Sequence, residues 1–271
     1  MFEALSLPFM QHALLAALLA AVCCGVVGTL VVANRMVFLA GGAAHAAYGG
    51  VGLAYFFALP VLPVTVAFTV GAALVMAAIT LRRIEDTDTV IGVLWAAGMA
   101  LGIILLDLCP GYTSDLMSYL FGSIITVPVG DLIALAVLNA VLVAVTLRYY
   151  NGFVAMAFDR EFAAVRGAPV TMLHYLLTAL AAVSVVLLIR VAGLILVIAL
   201  LTVAPSLAMR RAASLGRAMV WATALNVLFC LAGLWLAYRF DLTSGAAIIA
   251  VAATVFFLSL GPGLICHKHG A

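Results

Sequence analysis

A chain of 271 residues in which 68% of the side chains are hydrophobic and only 8% are charged is not an ordinary soluble domain. The formal net charge is +2, and the 12 lysines and arginines stand singly or in pairs, so the sequence builds no basic surface for nucleic acid. The charges punctuate apolar runs of roughly 18–23 residues, which lipid admits only as helices that satisfy their own backbone. The fold class is therefore all-α, a polytopic transmembrane helical bundle. Residues 1–271 form one membrane domain, with no length to spare for a soluble one.

In chain order the apolar runs predict nine spans, at about 11–33, 36–58, 61–81, 90–108, 130–148, 172–190, 192–209, 218–238 and 245–262. Eight spans result if one apolar segment is re-entrant. The N-terminus carries Glu3 where a secretory signal needs basic residues, and its apolar stretch is too long for one. With nine spans, Arg35, Arg82, Arg83, Arg148, Arg160, Arg166, Arg210, Arg211, Arg217 and Lys268 share one side. Arg190 and Arg239 are left on the other. That asymmetry places the first side in the cytoplasm, the N-terminus outside and the C-terminus inside. Glu3, Asp107, Asp115, Asp131 and Asp241 then give the outer face an acidic character. Cys23, Cys24, Cys109, Cys230 and Cys266 have no metal-type or redox spacing, and the four in or near apolar helices read as small hydrophobes.

Two connections exceed what linkage requires. The outer one, about 109–129, holds Pro110-Gly111 and an amphipathic stretch from Asp115 to Ile125 suited to the interface. The inner one, 149–171, predicts a short helix. Asp159 caps its start, Glu161 suits its first turn, and Gly167 and Pro169 end it. Phe158, Phe162 and Val165 recur at i, i+4, i+7 and form an apolar stripe on a helix too short to span. Such a helix either docks a soluble partner or packs beneath the bundle.

His45 stands in the middle of the second predicted span. Gly41, His45 and Gly49 are four apart and share a face flanked by Gly and Ala. That face suits close helix approach or a pathway, and the imidazole is a ligand for first-row transition metals. The alternative is a packing histidine bonded to a carbonyl or to Tyr48. Gly98 and Gly102 form a GxxxG pair that reads as helix packing. Asp107 falls at the outer end of its span, at the interface or facing a vestibule. Thr202 and Pro205 favour a local kink, while Asn139 and Asn226 suit hydrogen bonds between helices. Cys266, His267, Lys268 and His269 read as a solvated tail before a metal site. The single lysine, Lys268, leaves no Gly-Lys-Ser/Thr phosphate loop, and no HExxH, Asp-rich or nucleophile-elbow motif occurs. No catalytic constellation marks an enzyme.

Five blocks in order resemble the permease subunit of the bacterial zinc/manganese/iron ABC importer family. They are Asn34-Arg35-Met36 with the helix of His45, Gly92 to Gly102, and Phe158-Asp159-Arg160-Glu161 with Ala164 and Gly167. Gly193 to Pro205 follows, and then Gly233 to Tyr238 with Asp241 and Ser244-Gly245-Ala246. The resemblance implies a multi-pass protein of the bacterial plasma membrane that forms its pore as a homodimer. It implies a separate cytoplasmic ATP-binding-cassette ATPase that holds the ATP, and an extracytoplasmic metal-binding protein. This chain would carry no cofactor, and a divalent metal (zinc, manganese or iron) would be its substrate. The inner-loop helix would be the coupling helix on the ATPase, through Phe158, Asp159, Glu161, Phe162 and Gly167. His45 would be the metal ligand on a pathway that includes Gly41, Gly49 and Asp107. The chain departs from the family at Gly41, where an aspartate is common, and at Ala44, where serine is usual. Two other readings stand beside this one. The first is an ABC permease for another small solute. The second is an ion-coupled secondary transporter with His45 as a proton relay, which the few buried acids and the lack of an inverted repeat disfavour.

Overall fold

The computed structural model describes residues 8–82, 87–109 and 127–266, and the side chains of 11–81, 87–109 and 127–260. Glu3, Arg83, the stretch from Asp115 to Ile125 and His267 to His269 lie outside the described residues. Within them the chain is helical, with no strand. The helices are α1 (Pro8–Ala33), α2 (Val37–Phe56), α3 (Val61–Arg82), α4 (Thr87–Asp107) and α5 (Val129–Phe158). They continue with α6 (Arg160–Val165), α7 (Val170–Ala192), α8 (Leu194–Met209), α9 (Leu215–Phe240) and α10 (Ser244–Cys266).

Seven of these, α1 to α5, α7 and α9, are long and apolar enough to cross a membrane, where the apolar runs predicted nine. Of the remaining apolar helices, α8 is short for a backbone reason. Gly193, at φ 84°, breaks the chain between α7 and α8, a backbone setting that glycine adopts without strain. It leaves α8 with 16 residues, or about 24 Å at 1.5 Å per residue, against a hydrocarbon core of about 30 Å. Because α8 is wrapped by α1, α7, α9 and α10, packing supplies what length does not. α10 is an apolar helix of 23 residues, Ser244–Cys266, whose side chains are described over Ser244–Leu260.

The inner connection differs from its expected form. A loop was expected from residue 149, but α5 runs on for ten residues to Phe158, bending at Tyr149 (φ −113°, ψ 16°). Four residues of this extension, Tyr150, Gly152, Phe153 and Met156, have a packing reason to stay helical. Phe153 is fully buried and Met156 nearly so. The Tyr150 hydroxyl accepts the Gly216 N–H of α9 at 2.9 Å. Gly152 lets the Leu173 side chain lie where a Cβ would be 2.7 Å from it.

The ends of α1, α3, α5 and α8 gather with the starts of α4, α7 and α9 around shared cavities at one end of the bundle. The short helix α6 sits at that end. At the far end Arg190, in the last turn of α7, pairs with Asp131, in the first turn of α5, at 3.1 Å. The two polar interior residues expected to join helices do so. Asn139 Nδ2 donates to the Leu19 carbonyl of α1 at 3.0 Å, and Asn226 Nδ2 to the Leu200 carbonyl of α8 at 3.2 Å.

The GxxxG pair works as read. Gly98 lies against Ala46 of α2, and Gly102 against the Tyr48 and Gly52 backbone, so α2 and α4 touch main chain to main chain. A Cβ at Gly102 would sit 2.4 Å from the Tyr48 carbonyl oxygen, which backbone cannot vacate. Gly102→Ala is therefore expected to cost about 1–3 kcal/mol through overpacking. Thermal unfolding of the detergent-purified protein reads this directly, and an unchanged midpoint would count against the close approach.

Candidate functional site

α2 is an improbable helix by propensity, with five glycines among its 20 residues. It holds because Ala and Gly let α3 and α4 press close on it, and most of its residues are buried. His45 is half-buried near its middle. Its Nδ1 lies 2.8 Å from the Gly41 carbonyl oxygen one turn earlier. A carbonyl only accepts, so Nδ1 carries the proton and Nε2 keeps its lone pair. The ring stacks on Trp95 of α4, with centroids 3.8 Å apart and planes at 28°. Trp95 Nε1 donates to Met99 Sδ at 3.2 Å, and Phe38 borders the indole at 6.1 Å.

The glycines flanking His45 have different surroundings. A Cβ at Gly41 would meet nothing within 4 Å, whereas one at Gly49 would lie 2.8 Å from Phe68 and 2.9 Å from the Gly98 carbonyl. Gly41 and His45 thus share an open face, while Gly49 is buried in the α2–α3–α4 contact. Asp107 is exposed at the end of α4, 12 residues beyond Trp95, about 18 Å along the helix. It does not meet His45. Among the described residues no three His, Cys, Asp or Glu side chains cluster as a metal cage.

The second element is α6. The Asp159 side chain accepts the Phe162 N–H at 2.9 Å and caps the helix, and Gly167, at φ 81°, lets the chain leave it. Ala163 is buried, while Phe158 is 87%, Phe162 58% and Val165 88% exposed. On α6 the small residue faces the bundle while Phe162 and Val165 are exposed; Phe158, expected on the same helix, is instead the last residue of α5, separated from α6 by the extended cap Asp159. Glu161 lies in the exposed first turn.

Arg160 links this helix to the bundle by donating through Nη2 to His174 Nδ1 in α7. Burial holds the Arg160 pKa below its ordinary value. The guanidinium has only donors, so the His174 proton sits on Nε2, which is buried without a partner. Both side chains line a cavity of about 420 Å³ with Asn34, Arg35, Thr80 and Asp88. Neither the Trp95 stack nor this link was read from sequence. Trp95 is 50 residues from His45, and nothing local joins Arg160 to a histidine 14 residues on.

Comparison with known proteins follows this geometry. A family model described as the ABC 3 transport family matches residues 6–261. An uncharacterized membrane protein of Synechocystis sp. is 44% identical over 96% of this chain and 92% of its own length. The manganese transport system membrane protein MntC of Listeria monocytogenes is 29% identical over 97% of this chain and 92% of its own. Among solved structures, PsaBC from Streptococcus pneumoniae in complex with Fab matches with a TM-score of 0.85. It is 27% identical and covers 96% of this chain and 94% of that one. With seven membrane-length helices among the described residues, the chain belongs to the ABC 3 transport family, as a multi-pass permease subunit whose ATPase is a separate chain.

Proposed function

We propose that this chain is the membrane-spanning subunit of an ATP-driven importer of divalent metal. It forms one permease domain over residues 1–271, makes its pore with a second copy, and lies in the bacterial plasma membrane with its N-terminus outside. The segment 149–171 faces the cytoplasm, where α6 seats the ATPase. An extracytoplasmic metal-binding protein delivers zinc, manganese or iron to the other end. The observation that carries this reading is the capped helix α6 with its apolar stripe turned outward. The MntC relative, named for manganese transport, supports metal as the cargo.

In this reading His45 offers Nε2 to the metal on the open face it shares with Gly41, and Asp107 lies at the outer vestibule. The path from ATP to that face runs through Arg160. Its bond to His174 ties α6 to α7, and α7 packs on α2 and α3. Movement of the coupling helix therefore reaches the helix that carries His45 through direct contact.

The test is reconstitution of the permease with its ATPase and metal-binding protein in vesicles. ATP-dependent uptake of a divalent metal is the expected result, and uptake of a different solute with no metal would sink the reading. Arg160→Ala is expected to keep the ATPase bound while uptake per ATP hydrolysed falls several-fold. An unchanged ratio would remove the link from the coupling path.

A further inference from the structure

The donors around His45 define which metal suits this face. The Nδ1 proton is held by the Gly41 carbonyl, so a single Nε2 lone pair is presented. Met99 would be a soft donor, but its sulfur accepts the Trp95 N–H. Gly41 has open space and no side chain to fill it. The helices packed on α2 are α1, α3, α4, α7 and α8. Among their described residues the carboxylates are Asp88 and Asp107, both on α4. These lie about 10 Å and about 18 Å along the helix from Trp95, at 1.5 Å per residue. The face therefore supplies imidazole nitrogen, aromatic surface and main-chain oxygen, with no carboxylate beside them.

Manganese(II) favours carboxylate, carbonyl and water oxygen, and stands at the weak end of the divalent series for nitrogen ligands. Zinc(II) binds imidazole far more strongly. We infer that the His45 face selects zinc-class cations over manganese, with Gly41 as the specificity-determining position and Trp95 as the positioning residue for the imidazole. This rests on the metal-importer reading above. Trp95 acts through its ring: stacked at 3.8 Å, it opposes rotation of the imidazole and so keeps Nδ1 on the Gly41 carbonyl and the lone pair on Nε2. A carboxylate at position 41 would stand one turn before His45 in that same space and supply the oxygen donor that manganese needs.

The experiment is uptake of Zn²⁺ and of Mn²⁺, in parallel, by vesicles holding the permease, ATPase and binding protein. Uptake of Zn²⁺ over Mn²⁺ by roughly tenfold or more is expected. Gly41→Asp should raise Mn²⁺ uptake and compress that ratio, and the open space means the change needs no repacking. Trp95→Ala should raise the KM for Zn²⁺ with the ATPase still bound, and Trp95→Phe should restore it by restoring the stack. Metal retained by the purified permease, measured by elemental analysis, separates the pore's preference from that of the binding protein. Equal uptake and retention of both metals, or a ratio unmoved by Gly41→Asp, would overturn the inference and leave the importer intact. Failure of Trp95→Phe to rescue would overturn the role of Trp95. Uptake of neither metal would overturn this inference, and uptake of no divalent metal, iron included, would sink the importer reading with it.

Discussion

Phe162→Ala is expected to release the ATPase from a permease that remains folded. The side chain is 58% exposed on α6, between the more exposed Phe158 and Val165, and within the chain it is met by the Arg166 guanidinium 5.2 Å from the ring centroid. The cap is formed by the backbone N–H of residue 162, so it survives the substitution, and alanine favours helix. Burying a phenylalanine against a partner contributes about 1.5–3 kcal/mol, and its loss weakens binding roughly 10–100-fold. Co-purification of the ATPase with the tagged permease measures this. Glu161→Arg, which reverses a charge in the exposed first turn, is expected to act in the same direction. Undiminished assembly and transport in both variants would remove α6 as the docking element.

His45→Ala is expected to abolish metal uptake while assembly with the second copy and the ATPase persists. Within the chain the imidazole makes one bond to the Gly41 carbonyl and one stack on Trp95. Each is worth about 1 kcal/mol, too little together to unfold a bundle of this size. The lost Nε2 has no substitute nearby, since no cluster of metal-type side chains exists among the described residues. Normal uptake in this variant would make His45 a packing residue, bonded to a carbonyl as one reading of the sequence had it.

The sequence was most legible where a property acts within one helical turn. Asp159 and Gly167 could be read as the start and stop of α6 because capping is local, and the structure has both. Gly98 and Gly102 could be read as a contact surface because four-residue spacing puts them on one face. Asn139 and Asn226 could be read as bridging groups because a buried amide must find a partner. Legibility failed where local signals and packing disagree. The inner connection was read from residue 149 on, yet the helix continues to Phe158 because Gly152, Phe153 and Met156 have seats in the bundle. At 192–209, read as a span, the structure has an apolar helix of 16 residues that begins after Gly193 and packs on α1, α7, α9 and α10.

By itself the sequence determined that this is an all-helical membrane protein, roughly where its apolar helices lie, and that a short capped helix interrupts them. Those properties follow from hydrophobic run length and 3.6-residue periodicity, which need no knowledge of neighbours. Only the tertiary structure decided that Gly41 is open while Gly49 is packed, although the two flank His45 at equal spacing. It also decided that Trp95 holds the imidazole and that Arg160 reaches His174. The reason is physical: a face of a helix is set by its own residues, but what fills the space beside that face is set by side chains far along the chain.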